Sequence, residues 1–388
     1  MPVKMLIVDD EPDLESLIRQ RFRKQIRENE YEFVFAHNGM EALDRLVEHP
    51  ETIMILSDIN MPEMDGLTLL SRLGELNNPA LKAVIVSAYG DMENIRTAMN
   101  RGAFDFVTKP IDFNDLEVTI NKTLQHLQII KRSLVEHEQL IAVQRDLNIA
   151  ARIQQSILPR KFPAFPDRTE FDIYAQMITA KEVGGDFYDF FFIDNDRLAF
   201  VVGDVSGKGV PAAIFMAVSR TLLKALASQV VNPGECLRRL NTMLIPEKDE
   251  AMFVTIFYGV LNTRTGDVQY SNGGHNSPYL IRAEGTVEML PQTGGLLLGM
   301  LPDLEYDVQK IKLNAGDTIF LYTDGVNEAM NKEQELFDNP RFVESLKKTP
   351  AMTLPEMIKT VETDVKAFTA DAPQSDDITM FTVRYQKK

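Results

Sequence analysis

The sequence predicts three consecutive parts. They are an α/β domain with a five-stranded parallel, doubly wound sheet over 1–120, a coiled-coil helix over 121–159, and an α+β layered domain over 160–388. Three observations lead to this division. Short apolar runs alternate with stretches of helical period in the first part. Residues 113–158 contain no glycine or proline. Strand-like runs joined by short turns dominate the last part.

The composition favours a soluble cytoplasmic protein. Hydrophobic residues make up 44% of 388, and no apolar run reaches the roughly 18 residues of a membrane span. The N-terminal apolar stretch ends in acids at Asp9, which is not expected of a signal peptide. Cys236 is the single cysteine, which excludes an intrachain disulfide. The net charge of −16 argues against general binding of nucleic acid.

The α/β domain follows from five apolar runs that alternate with amphipathic stretches. Such a pattern predicts a parallel sheet with helices on both faces, whose functional site lies at the carboxyl ends of the strands. The predicted strands are Met5–Val8, Phe33–Ala36, Ile53–Leu56, Ala83–Val86 and Phe104–Val107. The predicted helices lie near 12–27, 39–49, 66–75 and 91–101.

The middle part is predicted to be one helix that ends before Pro159. Two apolar stripes run along it, and the spacing slips between them. The first contains Leu116, Ile120, Leu124, Leu127, Ile130 and Leu134, and the second contains Leu140, Val143, Leu147, Ala150, Gln154 and Ile157. A helix of this length, about 60 Å at 1.5 Å per residue, is longer than a small domain can cover. A dimeric coiled coil is therefore favoured over a helix packed on its own domain.

The α+β domain follows from nine strand-like runs and four segregated helical stretches. The runs lie at 171–178, 187–193, 197–203, 252–261, 267–272, 278–282, 306–313, 317–322 and 378–385. The helical stretches lie near 210–228, 233–245, 338–347 and 354–369.

A first candidate site lies at the predicted strand ends of the α/β domain. Its residues are Asp9, Asp10, Asp58, Ser87 and Lys109. Three neighbouring carboxylates repel one another unless a cation lies among them, and oxygen ligands suit Mg²⁺. A bound Mg²⁺ would leave Asp58 free to attack a phosphoryl group. Helix capping by the first two aspartates would explain that pair but not the convergence of all five residues.

Residues 4–120 resemble a response-regulator receiver domain. The motifs are Val8-Asp9-Asp10-Glu11, Asp58-Ile59-Asn60-Met61-Pro62, Ser87-Ala88 and Phe106-Val107-Thr108-Lys109-Pro110. The resemblance implies an upstream histidine kinase as partner and a cis peptide bond before Pro110. It also implies residue roles: Asp58 as phosphoacceptor, Asp9, Asp10 and the Asn60 carbonyl as Mg²⁺ ligands with Asp58, Lys109 as a phosphoryl contact, and Ser87 and Phe106 as a switch pair.

A second candidate site comprises aspartates that lie beside glycines or at strand ends in the α+β domain. They are Asp186, Asp204, Asp324, Asp376 and Asp377. Clustered carboxylates without histidine or cysteine ligands favour Mg²⁺ or Mn²⁺ over Zn²⁺, and two such ions can activate water for in-line attack on a phosphate. The sequence has no G-x-S-x-G elbow, no cysteine-based phosphate cradle and no H-E-x-x-H motif.

Residues 150–388 resemble the PPM family of metal-dependent protein phosphatases, in its bacterial branch of SpoIIE and RsbU. Two branch-specific segments carry this, Ala151–Pro159 and Asn272–Asn276. The resemblance implies two antiparallel sheets flanked by helices and two Mn²⁺ or Mg²⁺ ions. It implies that Asp204 bridges both ions, that the Val205 carbonyl binds one, that Asp324 and Asp376 bind the other, and that Asp186 orders coordinated water.

Two departures from the eukaryotic pattern leave the leaving-group acid unassigned. Ser206 replaces a histidine, and His275 replaces an aspartate associated with a third metal. His275 is a candidate acid, with a structural role as the alternative. Lys181 is a candidate phosphate contact or an ordinary surface lysine.

Together the two resemblances imply a response regulator whose output is a phosphoserine or phosphothreonine protein phosphatase. Its expected substrate is an anti-sigma-factor antagonist, and its expected assembly is a homodimer through the linker helix. The alternative is a receiver-controlled adaptor that sequesters a partner without catalysis. Catalysis is favoured over the adaptor because the predicted metal-ligating aspartates Asp186, Asp204, Asp324 and Asp376 are all present. A DNA-binding output is not expected, because the sequence contains no basic helix-turn-helix.

Overall fold

The computed structural model of the chain describes residues 2–88, 91–245 and 252–387. The chain forms two compact units, Met1–Ala142 and Val143–Lys388. Each unit has its own hydrophobic core, and the predicted fold classes are confirmed. The predicted linker, residues 121–159, is divided between the two units.

The first unit is an α/β fold. Its strands are β1 (Val3–Val8), β2 (Tyr31–Ala36), β3 (Met54–Asp58), β4 (Lys82–Ala88) and β5 (Asp105–Lys109). Its helices are α1 (Pro12–Arg21), α2 (Arg23–Arg27), α3 (Gly39–Glu48), α4 (Gly66–Glu75), α5 (Met92–Asn100) and the start of α6 (Phe113–Ile157). The single helix expected over 12–27 is interrupted at Phe22, whose side chain is fully buried in the core.

The sheet of the first unit is parallel, with strand order β2-β1-β3-β4-β5. Leu14 of α1 and Leu116 of α6 pack on one face. Ala42 of α3 and Ala98 of α5 pack on the other face. Because parallel strands are buried on both faces, their near-continuous apolar runs are explained.

Helix α6 was predicted as one uninterrupted helix, and the structure has it over Phe113–Ile157. Its first turns behave differently from the coiled-coil expectation. Leu116, Ile120 and Leu127 are buried within the first unit, so these members of the first stripe are not available to pair with another chain. In contrast, every residue from 131 to 146 is exposed.

The second unit is a sandwich of two antiparallel five-stranded sheets. One sheet has the order β13-β10-β9-β8-β7 and the other β12-β11-β14-β15-β6. The strands are β6 (Phe171–Ile178), β7 (Phe187–Phe192), β8 (Arg197–Val205), β9 (Val254–Asn262), β10 (Asp267–Gly273), β11 (Tyr279–Ile281), β12 (Val287–Met289), β13 (Gln309–Lys312), β14 (Thr318–Tyr322) and β15 (Ile378–Tyr385).

Helices cover the outer faces of the sandwich. They are α7 (Val210–Ala227), α8 (Pro233–Leu244), α9 (Asp324–Asn327), α10 (Asp338–Lys347) and α11 (Leu354–Thr369). Helices α7 and α8 contact the first sheet, and α11 contacts the second. Between the sheets, the rings of Phe200 and Phe381 stack with centroids 6.1 Å apart. The short β12 and α9 were not predicted.

One helix among the described residues, α7, has the length and apolar composition of a membrane span. Its buried residues recur at intervals of three and four: Ala212, Met216, Ser219, Leu223 and Ala227. That spacing is typical of an amphipathic helix that packs one face on a domain core.

Candidate functional site

Strand pairing in the first unit brings its three predicted aspartates together. Val8 of β1 lies opposite Ser57 of β3, so Asp9, which follows β1, and Asp58, the last residue of β3, meet at one edge of the sheet. Ligand oxygens of Asp9, Asp10 and Asp58 all lie within 4.8 Å of one another. Among the described residues, no other trio of acidic, histidine or cysteine side chains is this compact.

Lys109 is the cation of this cluster. Its Nζ lies 2.7 Å from Asp58 Oδ2, 2.9 Å from Asp9 Oδ2 and 2.8 Å from Glu11 Oε1. Burial lowers the pKa of Lys109, but hydrogen bonds to the three carboxylates outweigh it and leave the pKa raised. The lysine therefore stays charged, and the peptide bond that follows it, to Pro110, is cis.

The other predicted receiver residues lie around the same edge. Ser87 is fully buried at the end of β4, and its hydroxyl has no hydrogen-bond partner among the described residues. A buried hydroxyl without a partner is costly unless a ligand engages it, so Ser87 fits a phosphoryl oxygen. Phe106 on β5 is 36% exposed, and Asn60 is exposed just beyond β3.

This donor set fits a divalent cation. Burial raises the pKa of Asp9, and the nearby charge of Asp58 contributes to the same shift. The hydrogen bond and charge of Lys109 oppose this rise in pKa without cancelling it. One lysine faces the aspartate trio and Glu11, so an oxygen-loving ion such as Mg²⁺ would complete the charge balance.

In the second unit, the predicted aspartates lie at the ends of paired strands. Asp186 directly precedes β7, and Asp204 is the penultimate residue of β8, which pairs with β7. Asp324 follows β14 at the start of α9, and Asp376 precedes β15, which pairs with β14. The site therefore draws carboxylates from both sheets of the sandwich.

The electrostatics of these carboxylates are those of an unneutralised cluster. Burial raises the pKa of Asp204 to about 7, and the charge of Asp324 adds to the shift. Burial also raises the pKa of Asp186 well above its usual range, with contributions from Asp204 and Asp377. Asp186 is only 2% exposed. Ionised carboxylates this deeply buried are stabilised when cations bind between them.

Glycine allows the loop before β7 to approach the Val205 carbonyl. A Cβ atom at Gly185 would lie 2.7 Å from that oxygen, which no side chain could tolerate. The backbone next to Asp186 therefore packs against a predicted carbonyl ligand, which places Asp186 and Val205 on one small site.

Sequence reasoning missed Thr323, which connects the two sheets at the site. Its hydroxyl donates a hydrogen bond to Asp186 Oδ2 at 2.7 Å and accepts one from the Thr379 backbone N–H at 2.9 Å. Thr323 is fully buried. Because the hydroxyl is a donor toward Asp186, it fixes the orientation of that carboxylate. The sequence feature that could have identified Thr323 is its position directly before Asp324.

Asp377 holds the loop rather than facing solvent. Its Oδ1 accepts from the Ala180 backbone N–H at 2.8 Å, and its Oδ2 accepts from the Gly185 N–H at 2.9 Å. Two such bonds satisfy backbone donors on both sides of the loop. Lys181, which lies within this loop, is exposed, and its proposed phosphate contact stays a prediction.

Lys208 was also missed. Its Nζ lies 2.9 Å from Asp376 Oδ2 and donates to the Ser375 carbonyl. The lysine is 39% exposed, so the ion pair is partly screened by solvent. It nevertheless places one positive charge beside a predicted metal ligand.

His275 is placed in a structural role by its contacts. Its Nδ1 lies 2.8 Å from Thr255 Oγ1, and its Nε2 lies 3.1 Å from the Tyr322 carbonyl oxygen. Since the carbonyl can only accept, Nε2 carries the proton and Nδ1 accepts from the Thr255 hydroxyl. Burial lowers the pKa of His275 to about 4. A neutral imidazole with both nitrogens engaged argues against the predicted general-acid role.

The pKa of His275 makes a pH dependence predictable. A lowered pKa means that the folded state resists protonation, so the unfolded chain binds more protons between pH 6.5 and about 4. Stability should therefore fall as pH falls through this window. In His275→Gln the loss should be smaller by up to about 3 kcal/mol. Urea unfolding of the second unit at two pH values measures it, and identical pH profiles for both proteins would contradict it.

Ser206, at the position of the eukaryotic histidine, is engaged locally. Its hydroxyl accepts a hydrogen bond from the Phe253 backbone N–H at 3.0 Å, and its own N–H donates to the Phe253 carbonyl at 2.9 Å. These paired bonds fasten the end of β8 to the start of β9. They give Ser206 a structural function.

Two family models match this chain, one on each side of the segment that contains most of α6. Residues 5–121 match the model of the response regulator receiver domain. Residues 194–386 match the model of the stage II sporulation protein E, SpoIIE. The SpoIIE match begins after β6 and β7, although β6 pairs with β15 and β7 pairs with β8. The second unit is therefore larger than the matched segment.

Two relatives each match about two thirds of this chain. Protein IcfG of Synechocystis sp. is 30% identical over 280 residues, which are 65% of this chain and 43% of IcfG. The phosphoserine phosphatase RsbU of Bacillus subtilis is 28% identical over 253 residues, 64% of this chain and 74% of RsbU. The chain thus spans less than half the length of IcfG.

A solved structure shares the fold of the second unit. The SiaA-PP2C domain of Pseudomonas aeruginosa superposes with a TM-score of 0.57 at 22% identity, covering 64% of this chain and 99% of that domain. The chain therefore contains a response-regulator receiver domain, matched over residues 5–121, and a SpoIIE domain, matched over residues 194–386.

Proposed function

We propose that this protein is a response regulator whose output is the metal-dependent dephosphorylation of phosphoserine or phosphothreonine in a protein. The observation that carries the proposal is a pair of carboxylates at the meeting point of two sheets, the buried Asp186 and the half-buried Asp204, both with raised pKa values. Burial without an internal counter-ion for Asp186 among the described residues is costly unless a ligand supplies positive charge. A two-metal phosphatase site supplies it.

We propose that the second unit binds two Mn²⁺ or Mg²⁺ ions and that the receiver binds one Mg²⁺. Bound ions would polarise the phosphoryl oxygens and lower the pKa of water. The proposed phosphatase ligands are Asp186, Asp204, the Val205 carbonyl, Asp324 and Asp376. The proposed receiver ligands are Asp9, Asp10, Asp58 and the Asn60 carbonyl.

The protein's own residues prepare these sites. Thr323 and Asp377 hold the Asp186 loop in place, so little reorganisation remains when substrate binds. In the receiver, Lys109 and Ser87 would hold phosphoryl oxygens on Asp58. The Lys109 ammonium already lies 2.7 Å from the Asp58 carboxylate.

The proposed substrate is a phosphorylated anti-sigma-factor antagonist, and the proposed phosphodonor partner is a histidine kinase. The likeness to RsbU, a phosphoserine phosphatase, supports the substrate class. The test is release of inorganic phosphate from a serine-phosphorylated antagonist protein by the purified chain with Mn²⁺ or Mg²⁺. A protein that binds this partner without any release would instead be the adaptor.

We further propose a homodimer formed by the exposed part of α6. Large apolar side chains there are open to solvent, with Leu134 at 47% and Leu140 at 65% exposure. Leu134 and Leu140 belong to the two different stripes, and large apolar side chains left exposed on a helix are unfavourable unless another helix covers them. The pairing segment is therefore shorter than the sequence suggested, since Leu116 and Ile120 are buried in the receiver.

Light scattering should show a dimer for the wild type. The double variant Leu134→Asp/Leu140→Asp should be monomeric at micromolar concentration, because buried charges oppose pairing in a coiled coil. Lys131→Asp places the same side chain at another exposed position of α6 and should remain dimeric. A wild-type monomer would contradict the proposal, as would a dimer that survives the double substitution.

A further inference from the structure

The side chain of Gln154, near the end of α6, is bonded to both backbone groups of one glycine. Its Nε2 donates to the Gly184 carbonyl at 2.6 Å, and its Oε1 accepts from the Gly184 N–H at 3.1 Å. The side chain is only 5% exposed. This pair of bonds copies the exchange between adjacent β-strands, with an amide side chain in place of a strand.

Gly184 has little freedom to move away from this contact. A Cβ atom there would lie 2.0 Å from Asp377 Oδ2, and the next residue, Gly185, donates its N–H to the same oxygen at 2.9 Å. The segment before Asp186 is thus held between Gln154 on one side and Asp377 on the other. Its backbone groups are buried, so losing either partner leaves them without a hydrogen bond.

Asp186 follows directly after this doubly held pair of glycines. Its own carboxylate is oriented by the Thr323 hydroxyl at 2.7 Å. The position of its backbone therefore depends on Gly184 and Gly185, and the direction of its carboxylate depends on Thr323. A shift of Gly184 by a fraction of an ångström would move Asp186 relative to Asp204.

The surroundings of Gln154 distinguish it from an ordinary packed residue. Its neighbours Ile153 and Gln155 are exposed, so it is the buried polar contact of this helical turn. Nearby, Leu158 is the buried apolar one. A displacement of the end of α6 would alter the two hydrogen bonds to Gly184 before other polar contacts of this turn.

We propose that Gln154 is a positioning residue for the metal site, which makes metal affinity depend on where the end of α6 lies. This inference rests on the proposed phosphatase function. Partners that orient metal ligands from outside the coordination shell alter metal affinity by about 10- to 100-fold when removed. Gln154 likewise lies outside the coordination shell, and it acts through the backbone segment that precedes Asp186.

The test substitutes Gln154→Met, which keeps the length of the side chain and removes both bonds. The Mn²⁺ concentration for half-maximal phosphate release should rise about tenfold, whereas KM for the phosphoprotein should stay unchanged. A second readout needs no substrate: the rise in Tm on adding Mn²⁺ should require a correspondingly higher concentration. Gln154→Glu places a carboxylate oxygen against the Gly184 carbonyl in place of the donor, so its effect should be at least as large.

The matched control is Gln155→Met, the same substitution at the adjacent exposed position, which should behave as wild type. A folded Gln154→Met protein with wild-type Mn²⁺ dependence in both readouts would overturn the inference. If Gln154→Met fails to fold, Gln154→Glu decides by the same measurements. Absence of phosphate release from both wild type and Gln155→Met would refute the proposed function instead, while the Tm series would still test the contact.

Discussion

Replacing Asp204 with Asn should reduce phosphate release from a serine-phosphorylated protein at least about a thousandfold. Asp204 interacts with Asp186, Asp324 and Asp376, so it is the carboxylate best placed to serve two ions at once. Bound metal contributes several kcal/mol to the transition state, and each 1.4 kcal/mol or so is a factor of ten in rate. Chelation with EDTA should abolish the activity of the wild type in the same way.

Asp204→Asn should not unfold the protein. The amide has the shape of the carboxylate and removes a charge whose pKa is raised by burial, so the metal-free Tm should not fall. Asp371→Asn is the control, because Asp371 is an 89% exposed acid that pairs only with Lys332 among the described residues. Its rate should match wild type. Substantial turnover by Asp204→Asn, or in EDTA, would exclude the two-metal mechanism.

Beryllofluoride bound at Asp58 should raise the phosphatase rate, by several-fold to about tenfold. A phosphoryl mimic supplies acceptor oxygens for Lys109 and for the Ser87 hydroxyl, which is buried without a hydrogen-bond partner among the described residues. Rearrangement around these residues can shift the receiver between two states. A shift of about 1.4 kcal/mol in that equilibrium gives a tenfold change.

Helix α6 is the element expected to carry this change. Its residue Leu116 packs in the receiver core, and its residue Gln154 bonds to the loop before Asp186. The measurement is the rate on one phosphoprotein with and without beryllofluoride, and Asp58→Ala should not respond. If binding at Asp58 is verified and the rate is unchanged, α6 does not transmit the signal.

The sequence predicted the parts of the structure that depend on local pattern. Asp9 and Asp58 could be placed together because the carboxyl ends of neighbouring parallel strands meet at one edge. The antiparallel strands of the second unit were visible as short apolar runs between turns. Asp186 and Asp204 carried a signal of their own, since each lies next to a glycine at the end of such a run.

The residues that sequence reasoning missed have ordinary side chains whose role comes from tertiary contact. Thr323 and Lys208 have no unusual spacing, and only the fold brings them to the site. Gln154 was assigned to the second stripe of the linker helix, but its bonds to Gly184 depend on tertiary contact that the spacing does not reveal. The stripe through Leu116 was assigned to a coiled coil because an apolar stripe has the same period whether a domain or a second helix covers it. The contacts of His275 likewise depend on strands far apart in the chain.

Residues 131–146 have no covering partner among the described residues, so local propensity alone would keep this stretch of α6 helical in an isolated chain. Most helical stability in proteins comes from packing, and unpacked helix is only marginally stable in water. The stiffness of this stretch would then depend on how much protein is present, since in the proposed dimer a partner chain would supply the packing. At low abundance a phosphorylated receiver would be joined to its phosphatase by a helix that opens readily. Expression level would therefore set both the number of molecules that respond and the strength of coupling between receiver and phosphatase in each molecule.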